Sequence, residues 1–124
     1  MQTKILIVDD QPEIRELIKV TLRIDNYAIF EADNGLDAIL IANRERPDVV
    51  LLDIMLPGDI DGYEVCRRLK TNPDTTYIKV LMLTAKGRAI DREKGLKVGA
   101  DDYFAKPFSP LELVNRVQQL MAAD

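Results

Sequence analysis

Short apolar runs alternate with stretches of helical periodicity along the whole chain. Lys4-Ile5-Leu6-Ile7-Val8 is continuous until it ends in Asp9 and Asp10. A run of that length bounded by polar residues reads as a strand buried on both faces. Ile14, Leu17, Ile18, Thr21 and Leu22 then recur at helical spacing behind Pro12. Asp10 and Glu13 stand three apart, which predicts a capping box with Asp10 as the cap. Tyr27 to Ala32 predicts a second strand, and Asp33-Asn34-Gly35 has turn chemistry. Leu36 to Glu45 predicts a second helix, stopped by Pro47. Val49 to Leu52 is apolar and again ends in an acid, Asp53.

Pro57, Gly58, Asp59, Asp61 and Gly62 make a loop, after which Val65, Cys66 and Leu69 mark a third helix. Val80 to Thr84 is a fourth strand. Arg88 to Val98 is a fourth helix with Gly99 as its stop, and Asp102 to Ala105 is a short fifth strand. Pro110 opens a last helix with Leu113, Val114, Val117, Leu120 and Met121 on one face. Five apolar strands separated by five helices imply an α/β fold with a parallel sheet and helices on both sides. The crossovers are then right-handed. At 124 residues the expectation is one domain over 1–124, with no output domain, no internal repeat and no linker.

Composition removes several chemistries. The chain has no histidine, so Ser-His-Asp hydrolysis, His-based zinc sites and phosphohistidine carriage are excluded. Its one cysteine, Cys66, allows no intramolecular disulfide and no CxxC site. The net charge of −4 disfavours direct nucleic-acid binding, which needs a basic face. No apolar run approaches the roughly 20 residues of a membrane span, and Ile5 to Val8 is too short for a signal peptide. The expectation is a cytoplasmic protein without membrane contact.

The informative positions are the strand ends, because ligands of open parallel sheets bind at the carboxyl edge. The first strand ends in Asp9 and Asp10, the third in Asp53, the fourth in Thr84, and the fifth leads to Lys106. Singly, each has an ordinary alternative: helix caps for Asp9 and Asp10, a turn acid for Asp53, a β-branched strand residue for Thr84, a solvated lysine for Lys106. Together they suit one chemistry. If the first and third strands are neighbours, three carboxylates crowd one corner, and a hard cation such as Mg²⁺ with one lysine would balance them. Such an arrangement can position and neutralise a phosphoryl group, with one carboxylate as nucleophile.

Along essentially its whole length the sequence resembles the response-regulator receiver domains of two-component signalling. The matching runs are Ile5 to Asp10, Asp48 to Asp53, Leu83-Thr84-Ala85, and Gly99 to Tyr103 with Lys106-Pro107-Phe108. The resemblance implies a doubly wound, flavodoxin-like (βα)5 three-layer sandwich with strand order 2-1-3-4-5. It implies that Asp53 accepts a phosphoryl group from a sensor histidine kinase or a histidine phosphotransfer protein. Mg²⁺ is then held by Asp9, Asp10, Asp53 and the backbone carbonyl of Met55. Lys106 contacts the phosphoryl group, Thr84 is the switch hydroxyl, and Tyr103 moves with it. The Lys106-Pro107 bond is expected to be cis, and small Ala85 leaves room for the donor. From Asp53 to Gly62 is nine positions, one more than the usual loop of the family.

The stretch Asp91 to Arg116 also resembles receivers of the winged-helix transcription-factor branch, which implies an output surface on the fourth helix, fifth strand and fifth helix that controls binding of a downstream protein or a homodimer. Arg92, Asp101, Asp102, Glu112 and Arg116 are candidates for ion pairs between subunits. The fourth helix is expected to move, because Ile90 and Leu96 are its chief apolar anchors and Gly95 lies inside it. Met55 and Lys86 occupy positions that tune hydrolysis in the family. Met55 cannot orient a water, so the phosphoryl group is expected not to be among the fastest lost. Three other readings compete. A Mg²⁺-dependent phosphatase would need an acid where Met55 stands. A flavin-binding protein would need a glycine- and hydroxyl-rich loop where Asp9-Asp10-Gln11-Pro12 stands. A receiver-like binding module without phosphate chemistry is at odds with the complete residue set.

Overall fold

The computed structural model describes residues 2–84 and 89–122, with side chains set out for all of these except 89–92. Ten elements alternate along it: β1 (Thr3–Val8), α1 (Pro12–Leu22), β2 (Tyr27–Ala32), α2 (Gly35–Glu45), β3 (Val49–Asp53), α3 (Gly62–Thr71), β4 (Lys79–Thr84), α4 (Ala89–Lys97), β5 (Asp102–Ala105) and α5 (Pro110–Ala122). The sheet order is β2-β1-β3-β4-β5, and every neighbouring pair is parallel. This is the expected doubly wound architecture.

The central strands explain why the core divides in two. Successive side chains of a strand point to opposite faces. Leu6, Val8, Val50, Leu52, Val80 and Met82 turn to one face, where Ala38 and Ala42 of α2 and Val65, Cys66 and Leu69 of α3 meet them. Ile5, Ile7, Val49, Leu51, Leu81 and Leu83 turn to the other, against Ile18 and Leu22 of α1 and Leu113, Val114, Val117 and Leu120 of α5. Strands that are apolar at every position need two covers, and each face has its own helices. β2 is an edge strand: Tyr27 to Phe30 are half-buried, Glu31 is exposed, and Ala32 alone is buried.

Three local expectations change. α1 starts at Pro12 with Gln11 as its cap, and no side chain caps it. Proline fills the first helical position, where no amide hydrogen is required. That sets the start one residue later than a capping box on Asp10 and Glu13 requires, and leaves the Asp10 carboxylate outside the helix. Leu96 is not an anchor of α4, being 54% exposed. The side chain of Ile90 lies outside the described residues. α2 begins at Gly35, where the Asn34 side chain accepts the Asp37 amide at 2.9 Å, and it closes on Arg46 in the left-handed conformation before Pro47.

Candidate functional site

Sheet register places the candidate residues in one row. Val8 pairs with Leu52, so Asp9 follows β1 beside Asp53 at the end of β3. Asp53 pairs with Leu83, so Thr84 comes one residue further along β4. Thr84 pairs with Ala105, and the next residue is Lys106. The row therefore crosses the carboxyl ends of β1, β3, β4 and β5. Asp9, Asp53 and Thr84 are all buried, whereas Asp10 is exposed.

Three carboxylates and one ammonium dominate the corner. Ligand atoms of Asp9, Asp10 and Asp53 lie within 4.8 Å of one another. Lys106 Nζ is 2.6 Å from Asp9 Oδ2 and 3.6 Å from Asp53 Oδ2. The Lys106-Pro107 bond is cis, as expected. Asp9 Oδ1 also accepts the Gln11 amide at 2.9 Å, so both of its oxygens are engaged. Asp53 Oδ1 accepts the Met55 amide at a looser 3.3 Å. The Asp9 side chain is 1% exposed and that of Asp53 is 8% exposed. Asp53 is the more loosely held and the more accessible of the two.

Burial pushes the Asp53 carboxyl up from 3.8 to about 6. Lys106 and the Met55 amide pull it back, and the neighbouring Asp9 and Asp10 raise it again. A carboxylate in that position favours a partner of positive charge. A small hard divalent cation fits the donor set, since all three side chains offer oxygen and exposed Asp10 leaves room for waters.

Two residues to which sequence reasoning gave no part in the site build this corner. Gly62 opens α3 against the Asp53 backbone, and a Cβ there would lie 2.3 Å from the Asp53 carbonyl oxygen. Its amide donates to Ile54 O at 2.9 Å. The only signal was a glycine beside Asp61, whose side chain caps α3 by accepting the Glu64 amide at 2.9 Å. Arg15 donates to the Asp9 carbonyl at 2.7 Å and pairs with Glu31 at 3.0 Å. On a helical repeat it looks like any exposed charge. Met55 itself is 72% exposed, and Tyr103 is partly buried against the α2–α3 side of the core.

The candidate subunit-pairing residues are placed differently from one another. Asp102 pairs within the chain to Arg116 at 2.9 Å, and the Arg116 guanidinium lies 5.1 Å from the centre of the Phe104 ring. Asp101 pairs within the chain to Lys70 at 2.8 Å. Glu112 is exposed. The Arg92 side chain, Ala85 and Lys86 lie outside the described residues.

Comparison with known proteins agrees with this geometry. Residues 5–118 match the family model described as the response regulator receiver domain. The transcriptional regulatory protein ResD of Bacillus subtilis is 48% identical over 120 residues, covering 97% of this chain and 48% of ResD. The chain thus spans about half the length of the curated relatives it matches. A putative response regulator from Chloroflexus aurantiacus superposes with a TM-score of 0.94 at 39% identity, covering 99% of this chain and all of the other. The receiver domain of a sensor histidine kinase from Pseudomonas aeruginosa, with a magnesium ion coordinated in its active-site cleft, superposes at 0.89 with 32% identity. The coverage there is 99% of this chain and 100% of that domain.

Proposed function

The chain belongs to the response regulator receiver family, whose members are signalling switches that accept phosphate from histidine kinases, and from that premise we propose that Asp53 is its phosphoacceptor. One observation carries the assignment: of the two buried carboxylates, Asp53 is the more loosely bonded and the more exposed, while Asp9 is tied by Lys106 and Gln11. A carboxylate oxygen of Asp53 attacks the phosphorus of a phosphohistidine. The new O–P bond forms as the N–P bond breaks, and the electron pair leaves on the imidazole nitrogen.

Asp9, Asp10, Asp53 and the Met55 carbonyl are the proposed ligands of Mg²⁺, which supplies charge neutralisation for the transferring group. Lys106 sits between Asp9 and Asp53 and pairs with the phosphoryl oxygens once they arrive. The added group brings roughly −1.5 to −2 charges. The Thr84 hydroxyl turns toward it, and Tyr103 rotates inward into the space that is left. The exposed stripe of α1, with Leu17 and Val20 each about half exposed, together with Ile24 just past its end at 70%, is the docking face we assign to the kinase. The surface of α4, β5 and α5 is the output face, for a downstream protein or a second copy. The curated relatives that the chain matches over about half their length are transcriptional regulatory proteins, and no DNA contact is assigned to this receiver.

The test is intact mass after incubation with Mg²⁺ and a small acyl-phosphate donor. One phosphoryl group is expected per chain, dependent on Mg²⁺ and absent from Asp53→Asn. A chain that takes up nothing would instead be a phosphate-independent binding module.

A further inference from the structure

Besides the Lys94 ammonium, 5.9 Å from the centre of the Tyr63 ring of α3, the described part of α4 is held chiefly at its carboxyl end. Among its described side chains, Glu93, Lys94, Leu96 and Lys97 are all exposed, and the one buried residue is Gly95. That glycine rests on Met82 and Tyr103 with no side chain of its own. So little apolar contact over Glu93 to Lys97 gives this described part of the helix weak lateral anchorage.

Its carboxyl end is different. The Gly99 amide donates to Leu96 O and the Ala100 amide to Gly95 O, with Gly99 at φ +97°, which is a Schellman closure. The closed turn is then fastened to two other elements. The Asp101 amide donates to Val80 O at 2.9 Å, and the Val80 amide donates to Asp101 Oδ2 at 2.8 Å. The same Oδ2 is 2.8 Å from Lys70 Nζ, on the last turn of α3. Lys70 Nζ also donates to Ile78 O. The Lys70 stem lies flat under Gly99, where a Cβ would come within 3.0 Å of it. One turn earlier on α3, the Cys66 thiol donates to Val98 O at 3.6 Å.

We propose that Lys70 and Asp101 clamp the α4–β5 turn to α3 and β4, so that α4 responds to phosphorylation as a lever pivoting about its carboxyl end. Lys70 and Asp101 are positioning residues: neither touches the phosphoacceptor, and both set which part of the output face moves. The lever rests on the phosphoacceptor reading above, whereas the clamp does not. Within one chain Asp101 is accordingly an internal strut.

Amide hydrogen exchange, with and without Mg²⁺ and the acyl-phosphate donor, tests both parts. In the wild type, loading is expected to change exchange at 93–95 and leave 98–101 unchanged. In Lys70→Met, which keeps the stem and removes the charge, exchange at 98–101 is expected to rise at least tenfold even before loading. Lys70→Arg is expected to restore protection, and both variants to gain the phosphoryl group at the wild-type rate. Unchanged exchange at 98–101 in Lys70→Met overturns the clamp. A loading response at 98–101 in the wild type as large as that at 93–95 overturns the lever. Failure of the wild type to gain mass overturns the phosphoacceptor reading and the lever with it, and the clamp is then decided by the unloaded variants alone. Asp101→Asn, which retains an acceptor for Val80, guards against a variant that does not fold.

Discussion

Asp53 carries a thermodynamic cost whenever no cation is bound. Its carboxyl is raised from 3.8 to about 6 in the folded chain, chiefly by burial. That corresponds to roughly 3 kcal/mol favouring the neutral form. The folded state therefore binds this proton more tightly than the unfolded state, and stability from this group falls as pH rises from about 4 to about 6. In a chelator at pH 7.5, Asp53→Asn is expected to melt about 5 to 10 °C above the wild type. The gap should close as pH approaches 4, and saturating Mg²⁺ should narrow it at pH 7.5; thermal melts across pH decide the matter. A wild type that melts as high as the variant in chelator at pH 7.5 would show that the ionised carboxylate is not under strain. Much of this residue-scale picture was legible beforehand, since Asp9, Asp53, Thr84 and Lys106 each terminate or follow an apolar run. The Gly62 approach to Asp53 was not: a Cβ there would fall 2.3 Å from the Asp53 carbonyl oxygen, a closeness set by how α3 is seated that leaves no mark on periodicity.

The elements were legible where one face or both were uniformly apolar, as in β1, β3 and β4, and less so where packing is sparse. α4 shows why. Its pattern pointed to Leu96 as an anchor, yet Leu96 is 54% exposed and Gly95 takes the buried place. Gly95 is covered by the Met82 and Tyr103 side chains, and hydrophobic spacing does not register a buried position that has no side chain. The start of α1 moved for a related reason: Pro12 decided the first turn over the acid at Asp10. At this scale the flat seat of Gly95 makes its own prediction. A Cβ there would lie 3.7 Å from Met82 Cγ and from Tyr103 Cδ2, which is ordinary contact. Gly95→Ala therefore fits and should stabilise α4 by about 1 kcal/mol. Slower amide exchange across 93–97 is expected, and exchange equal to the wild type would mean that helix propensity does not limit this element.

For the whole molecule, the open question is association through α4, β5 and α5. Asp102 and Arg116 are already joined within one chain, and Asp101 is held by Lys70. Among the described residues that face also presents exposed Glu112, Leu96 and Leu111 to a second copy, the last at 69% exposure. We expect doubling of mass by light scattering when the chain is loaded with Mg²⁺ and acyl phosphate, and a monomer before loading. A monomer in both states would assign the face to a different protein. The layout of the site also bears on synthesis. Lys106 closes on Asp9 across 97 positions of sequence, and the row of reactive residues spans four of the five strands. A chain emerging from the ribosome builds amino-terminal parts first. Until β5 is translated and seated, the acids have no lysine to balance them and no complete cradle to offer a donor. Seating of β5 is thus a licence for the proposed charging of Asp53, and products cut short before it are expected to stay mute in the circuit.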